Sequence, residues 1–183
     1  MDTMRCFIGV PVDHQVALAL LDVRDQALAA LGQAQVRPVL ARNFHLTLAF
    51  LGEQPAGLRD VLADGINRLV SRHPAFFQPL TDAHLFPSPQ GRLWVAEGLT
   101  VPMAMRRLRE DLLAMLDSLG VAEQGVGGPM RPHITLLRGL VTPLSPPHFK
   151  LDLPLPVKDV LLYESRPGPS GSDYKVLASA ALR

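Results

Sequence analysis

Two short runs of the chain repeat one pattern. HLTLAFLG begins at His45, HITLLRG begins at His133, and each places a histidine and a threonine two residues apart among apolar residues. Both runs predict β-strands, in which residues two apart point to the same face of a sheet. Each strand therefore has an apolar face for a core and a second face with one imidazole and one hydroxyl, from Thr47 or Thr135. The fold must bury two apolar faces while leaving two polar faces open.

The remaining segments alternate between strand-like and helical patterns. Three runs have apolar residues at helical spacing, and adjacent strands follow one another without helices in the second half of the chain. This order predicts an α+β fold with largely antiparallel pairing, built from two related lobes that each contribute one H-x-T strand. A proline-rich stretch, 143–156, is predicted to be an extended connection. The predicted strands are 5–12, 45–51, 76–85, 92–99, 133–137, 157–163 and 174–182, and the predicted helices are 14–31, 58–70 and 103–119.

Composition excludes several classes of protein. The net charge is +1 over 183 residues, so the chain lacks the broad positive field that binds long nucleic acids through many phosphates. No apolar run approaches the length of a membrane span, and the first residues lack a basic region followed by an apolar signal core, so we expect no secretory signal. The single cysteine, Cys6, excludes a disulfide framework and is expected in the core. We expect a cytoplasmic protein with no membrane contact.

Two opposed H-x-T faces suit acid–base chemistry at a phosphoryl group. A neutral imidazole can accept a proton from water, and an imidazolium can donate one to a leaving oxygen. Threonine hydroxyls can donate hydrogen bonds to the oxygens on which charge develops. Neither a nucleophilic side chain nor a metal is needed.

A zinc site is the competing interpretation of the two histidines. Structural zinc sites take four protein ligands and catalytic sites usually three. The other histidines fall in predicted helix starts, turns and loops without ligand spacing, so we expect no metal and predict that these four are surface residues: His14, His73, His84 and His148.

The two H-x-T runs and their flanks resemble the two-histidine phosphoesterases. Within that superfamily, the chain is similar to the RNA 2′,3′-cyclic phosphodiesterases, also called LigT-like 2′–5′ RNA ligases. The resemblance covers nearly the whole chain, in order: RCFIGVPV, NFHLTLAFLGE, RLWVAEGL, RPHITLLR and VLLYESRPGPSGSDYKVL.

This resemblance implies one bilobal domain over residues 1–183. Two lobes related by a pseudo-twofold axis would flank a central cleft, with helices packed outside. The implied activity is metal-independent hydrolysis of a terminal ribose 2′,3′-cyclic phosphate to a 2′-phosphate, without a cofactor. The expected partners are RNA ends that carry this group, for example tRNA fragments, or small cyclic nucleotides, and a monomer is expected.

The resemblance also implies roles for individual residues. His45 would protonate the departing 3′ oxygen, and His133 would be the base that deprotonates water. The residues implied to bind the phosphate or the terminal base are Thr47, Thr135, Arg138 and Phe50.

Strand alternation complicates two of these assignments. It predicts that Phe50 and Arg138 lie on the faces opposite their histidines. They reach the cleft only if the strands bulge or twist near their ends, where Gly52 and Gly139 permit it. Arg131, two residues before the second histidine, shares its face by alternation and is predicted to be a second phosphate contact.

Alternative functions remain open at this point. Ligation of RNA through a 2′–5′ bond is the reverse chemistry at the same site, with a 5′-hydroxyl in place of water. Hydrolysis of small cyclic nucleotides or of other 2′–5′ linked phosphodiesters would use the same residues. A catalytically idle protein that only binds RNA ends is disfavoured, because both histidines are intact.

Overall fold

The computed structural model describes residues 2–32, 34–89, 91–125, 127–141, 143–169 and 171–183. The described strands form one sheet. Its strands are β1 (Thr3–Pro11), β2 (Arg37–Pro38), β3 (His45–Pro55), β4 (Phe76–Ser88), β5 (Gly91–Glu97), β6 (His133–Leu140), β7 (Phe149–Val157), β8 (Asp159–Gly168) and β9 (Gly171–Ala181). The helices are α1 (His14–Leu31), α2 (Arg59–Val70) and α3 (Met103–Ser118), with short 3-10 turns at Ala41–Asn43 and Ala56–Leu58.

The strands are antiparallel throughout and follow the order β7-β4-β5-β6-β3-β1-β8-β9, while β2 pairs with β6. Four strands of this order thus lie on each side of the junction between β3 and β6, and β2 is added beside β6. Within the described residues, the register at that junction consists of one pair, Leu46 with Ile134. This strand order agrees with two lobes related by a pseudo-twofold axis, which stay a prediction.

The main core lies between the helices and one face of the sheet. Leu20 of α1, Ile66 of α2 and Leu112 of α3 are buried in the same cluster as the junction pair, Leu46 and Ile134. The helices α1 and α3 each follow a strand of one half and pack against strands of the other: α1 on β6 and β7, and α3 on β3. Because residue sides alternate along a strand, the histidines next to the junction pair point to the face without helices.

The predicted α+β class is confirmed, and so are the three predicted helices, whose ends differ by at most one residue. Cys6 lies in the core as predicted, and burial raises the pKa of its thiol to about 11. In the described part of the chain, no helix is both long enough and apolar enough to cross a membrane.

The prediction of a mere connection over 143–156 was wrong, because its second half belongs to β7. Apolar residues alternate there, as in FKLDLPLP, which is typical of a strand with one buried face. Pro154 and Pro156 disfavour a central strand, but within the described residues β7 is an edge strand whose partner is β4. An edge strand tolerates prolines, because one side of its backbone needs no partner.

Candidate active site

The polar side chains of the two H-x-T motifs lie together on the helix-free face. Leu46 and Ile134, which separate histidine from threonine in the two motifs, pair across the junction and are fully buried. An antiparallel register centred on this pair places the histidine of each motif on the side of the other motif's threonine. The four polar side chains therefore form one half-buried group: His45, Thr47, His133 and Thr135.

Both imidazoles are held by the carbonyl two residues before them. Nδ1–H of His45 donates to the carbonyl oxygen of Asn43, and Nδ1–H of His133 donates to that of Arg131, each at 2.7 Å. A carbonyl oxygen only accepts, so Nδ1 carries the hydrogen, and Nε2 of a neutral ring carries none. Each Nε2 is thereby suited to accept a proton or, once protonated, to donate it.

Burial lowers the pKa of both imidazoles. It takes His45 from 6.5 to about 4, although the Asn43 carbonyl favours the charged ring; the charges of Arg138 and His133 lower the pKa further. The pKa of His133 is lowered as well, again mainly by burial, while the charge of Glu97 raises it. Both rings are therefore mostly neutral at pH 7 before an anion binds.

An irregularity inside β3 brings Phe50 to the face of His45. The β1–β3 register shifts by one residue at Leu48, and two consecutive residues, Leu48 and Ala49, are buried. Alternation resumes in the opposite phase, so Phe50 is 48% exposed and its ring lies 6.1 Å from that of Phe7. Phe7 in turn contacts His45, with 4.7 Å between ring centroids. Simple alternation would have placed Phe50 in the core.

A similar irregularity in β6 changes the face on which the following residues lie. The β5–β6 register shifts at Leu136, and Leu136 and Leu137 are both fully buried. The phase change brings Arg138 to the face of His133. The Arg138 charge lowers the pKa of both His133 and His45, as expected of a cation on the face that holds the two imidazoles.

Both changes of face occur earlier in the strands than we predicted. Gly52 and Gly139 have left-handed backbone conformations, with φ of 66° and 75°, and a second irregularity lies beside each of them. The sides of Phe50 and Arg138 are nevertheless already decided before these glycines are reached.

Groups from outside the paired strands satisfy the backbone at each bulge. Nε of Arg109, on α3, donates to the carbonyl oxygen of Leu48 at 3.2 Å, while Nη2 of the same guanidinium binds Glu123 at 3.1 Å. At the second bulge, the backbone N–H of Val39 donates to the carbonyl oxygen of Leu136 at 2.9 Å. Unpaired buried carbonyls are costly, so these contacts stabilise the altered register.

Aromatic rings surround His45, and sequence analysis did not single them out. Phe7 stacks on Tyr163 with 4.8 Å between centroids, and Tyr174 meets the His45 ring edge-on at 4.9 Å. The sequence held one signal for Phe7: it alternates with Cys6, which was expected in the core. No local pattern marked the two tyrosines, which reach the site because β8 pairs with β1 and β9 pairs with β8.

A compact network lies beside His133 and includes Arg131. Nε and Nη2 of Arg131 donate to the carboxylate of Glu97 at 2.7 and 2.9 Å, and His84 contributes a third contact at 2.5 Å. The Arg131 guanidinium lies over the ring of Phe86, 4.2 Å from its centroid, and the imidazole of His133 stacks on that ring at 4.3 Å. The predicted phosphate contact by Arg131 stays a prediction, and it would compete with Glu97.

Two of the four remaining histidines, which we predicted to be surface residues, are partly buried. His84 lies inside β4, and only 26% of its side chain is exposed. His73 follows α2, is 13% exposed and binds Asp111 at 2.8 Å. His14 and His148 are exposed. Among the described residues, no group of three or more histidines, cysteines and carboxylates is arranged to hold a metal ion.

Known proteins resemble this chain in sequence and in fold. The profile of the LigT-like phosphoesterase family matches residues 10–94. An RNA 2′,3′-cyclic phosphodiesterase of Thermus thermophilus is 33% identical over 98% of this chain and 91% of that protein. A second one, of Escherichia coli, is 32% identical over 80% of each chain.

Solved structures agree with these relatives. A crystal structure of a Thermus thermophilus protein superposes with a TM-score of 0.85, at 29% identity and 98% coverage of both chains. Escherichia coli LigT in complex with 3′-AMP superposes with a TM-score of 0.79, at 27% identity and 99% coverage of both. Fold and relatives both define a phosphoesterase. The chain belongs to the LigT-like phosphoesterase family.

Proposed function

We propose that this protein hydrolyses the 2′,3′-cyclic phosphate at the end of an RNA to a 2′-phosphate, without a metal or a cofactor. One observation carries the proposal: two imidazoles with Nδ1 bound to backbone carbonyls share a face with two threonine hydroxyls. Two relatives at 32% and 33% identity are RNA 2′,3′-cyclic phosphodiesterases, which supports the substrate.

The reaction needs one proton accepted and one donated. Nε2 of His133 takes a proton from water as the water oxygen attacks phosphorus. The bond between phosphorus and the ribose 3′ oxygen breaks, and Nε2 of His45 gives its proton to that oxygen. The products are a 2′-phosphomonoester and a 3′-hydroxyl. The imidazoles return to their first state by exchanging one proton with solvent, so atoms and charges balance.

The substrate itself supports the protonation of His45. Burial disfavours the charged ring in the free protein, since its pKa is about 4. A phosphodiester carries a negative charge into the site, and an anion near an imidazole favours the protonated form. The acid thus gains its proton as the anion binds, while the base, His133, is already neutral at pH 7.

The other predicted residues supply binding and charge stabilisation. The hydroxyls of Thr47 and Thr135 donate to the non-bridging phosphoryl oxygens, and the guanidinium of Arg138 offsets their charge. The exposed ring of Phe50 stacks on the terminal base, a contact worth about 1–3 kcal/mol in other single-strand complexes. Arg131 would add a phosphate contact only by sharing its guanidinium with Glu97.

We further propose that the chain acts as one bilobal monomer in the cytoplasm. The continuous sheet supports a single domain, since strands of both halves meet at the β3–β6 junction. A free, buried Cys6 supports a reducing compartment.

The test uses purified protein in excess chelator and a short RNA that ends in a 2′,3′-cyclic phosphate. The expected product is RNA with a 2′-phosphate, identified by mass spectrometry and by its resistance to enzymes that remove only 3′-phosphates. A matched RNA with a 3′-phosphate should stay unchanged. Adding an RNA with a 5′-hydroxyl tests ligation, which would give a 2′–5′ joined product at the same site.

Three outcomes would contradict the proposal. Wild-type protein that leaves the cyclic end intact would refute the activity. Activity that returns only on adding a metal would refute the metal-free route. A 3′-phosphate product would show that the bond from phosphorus to the 2′ oxygen breaks, and that the 3′ oxygen is not the leaving group.

A further inference from the structure

Glu97 is a buried carboxylate that lies next to the His133 half of the site. It is 2% exposed and faces His133 across the β5–β6 register. Three donors bind it, two from Arg131 and one from His84. Burying a carboxylate is costly even when donors surround it, so its place beside an active-site histidine calls for a functional reason.

Glu97 is connected to His133 by two routes, and both pass through Arg131. The backbone carbonyl of Arg131 accepts the hydrogen bond from Nδ1 of His133, at 2.7 Å. The guanidinium of Arg131 lies over Phe86, on which the imidazole of His133 stacks. The Glu97 carboxylate thus holds Arg131. Arg131 in turn accepts the hydrogen bond of the His133 ring and contacts Phe86, on which that ring packs.

We propose that Glu97 is a positioning residue: by holding Arg131, and Phe86 through it, it fixes the ring of His133 with Nε2 turned toward the attacking water. The inference rests on the proposed function, which gives His133 a proton to accept. It also gives Arg131 a role other than the phosphate contact predicted from strand alternation.

The charge of Glu97 has a second effect on the same histidine. It raises the pKa of His133, while burial, Arg131 and Arg138 lower it. His45 faces His133 from β3, and the groups that shift the pKa of His45 do not include Glu97. Removing the carboxylate charge should therefore lower the pKa of His133 and leave that of His45 in place, which a purely structural role would not do.

The matched pair of variants is Glu97→Gln and Asp82→Asn. Asp82 is equally buried at 2% exposure and lies directly opposite Glu97 in the β4–β5 register. Its hydrogen-bond partners, Lys150 and His148, do not bind the Glu97 carboxylate, although the His148 ring lies 5.6 Å from that of His84. Both substitutions remove one buried charge and keep the shape of the side chain. They differ only in which neighbouring residues lose a charged partner.

Two measurements separate positioning from folding. Titration of the imidazole Cε1 protons by NMR, in the free proteins, should show a lower pKa for His133 in Glu97→Gln and an unchanged titration of His45. With RNA that ends in a 2′,3′-cyclic phosphate, kcat should fall at least about tenfold, part of the 10²–10⁴ that a positioned base contributes. KM should stay within about twofold. Asp82→Asn should resemble wild type in both measurements.

The conservative variant Arg131→Lys tests the link if Glu97→Gln does not fold. It keeps the charge but loses the two-pronged contact with the carboxylate, so kcat should fall with KM nearly unchanged. A raised KM with an unchanged kcat would show that Arg131 contacts the substrate, which overturns the inference. So would an unshifted His133 titration in a folded Glu97→Gln protein. If wild-type protein hydrolyses no cyclic end, the proposed function fails, whereas the NMR titration still decides whether Glu97 acts on His133.

Discussion

His45 should make the folded protein sensitive to mild acid. Its pKa is about 4 in the folded chain and 6.5 at its ordinary value. Between these values the unfolded chain binds a proton that the folded chain rejects, so the free energy of unfolding falls as the pH falls. At pH 5 this lowering of the pKa corresponds to about 2 kcal/mol of lost stability, nearly all of it lost below pH 7. His133 adds to the loss, because its pKa is lowered too.

The substitution His45→Gln isolates this contribution. Glutamine keeps a polar side chain at the site and carries no charge at either pH. Urea unfolding at pH 7, 6 and 5 can be followed by the fluorescence of Trp94, the only tryptophan of the chain, which is fully buried. Between pH 7 and pH 5 the variant should lose about 2 kcal/mol less than wild type.

The matched control is His14→Gln, which removes an exposed histidine at the start of α1. It should follow the wild-type dependence on pH. If His45→Gln loses as much stability in acid as wild type does, the folded ring takes up its proton as readily as an unfolded one. The argument from burial would then fail, and with it the need for the substrate to help protonate the acid.

Four further outcomes are expected. His45→Ala and His133→Ala should each lower kcat/KM by about 10²–10⁴, and the double variant should be scarcely worse than the worse single one; singles that keep a tenth of the rate would contradict acid–base roles. The pH profile of kcat/KM should be a bell centred below 6.5, because both imidazole pKa values are lowered; an optimum near pH 8 would point to another base. Arg138→Ala should reduce the log–log salt slope of binding to a non-hydrolysable end analogue by about 0.7, and an unchanged slope would place the phosphate contact elsewhere. Arg109→Ala should lower the free energy of unfolding by about 1–3 kcal/mol, because the Leu48 carbonyl loses its donor; unfolding in urea measures this, and no change would mean that water replaces the guanidinium.

The parts of the molecule that could be predicted are those decided by near neighbours in the chain. Helix periodicity gave the bounds of α1, α2 and α3, and alternation put the histidines and threonines of the H-x-T motifs on the face away from the core. The alternation of β7 was equally local, but its prolines outweighed it. Whether a strand lies at the edge of a sheet, where proline is tolerated, depends on the whole strand order.

The parts that could not be predicted depend on which strands pair and in what register. Phe50 and Arg138 change face because each strand has one more residue than its partner, at Leu48 and at Leu136. An extra residue can be recognised only when the partner strand and its register are known. Glu97 faces His133 through the regular pairing of β5 with β6, which no local pattern discloses. Its sequence neighbours in RLWVAEGL indicate only a buried strand, in which a carboxylate looks out of place.

The two bulges leave the site with a direction. Without them, β3 and β6 would each present only an imidazole and a hydroxyl at this point, and these two strands would not determine which way round a substrate binds. The same register shift in each half adds one side chain five residues after the histidine, and the two additions differ: an exposed aromatic ring at Phe50 and a cation at Arg138. A ligand with a flat apolar end and an anionic end can satisfy both in one orientation only. Exchanging these two residues should therefore favour the reversed binding mode. The pair thus determines which histidine acts as the acid and which as the base.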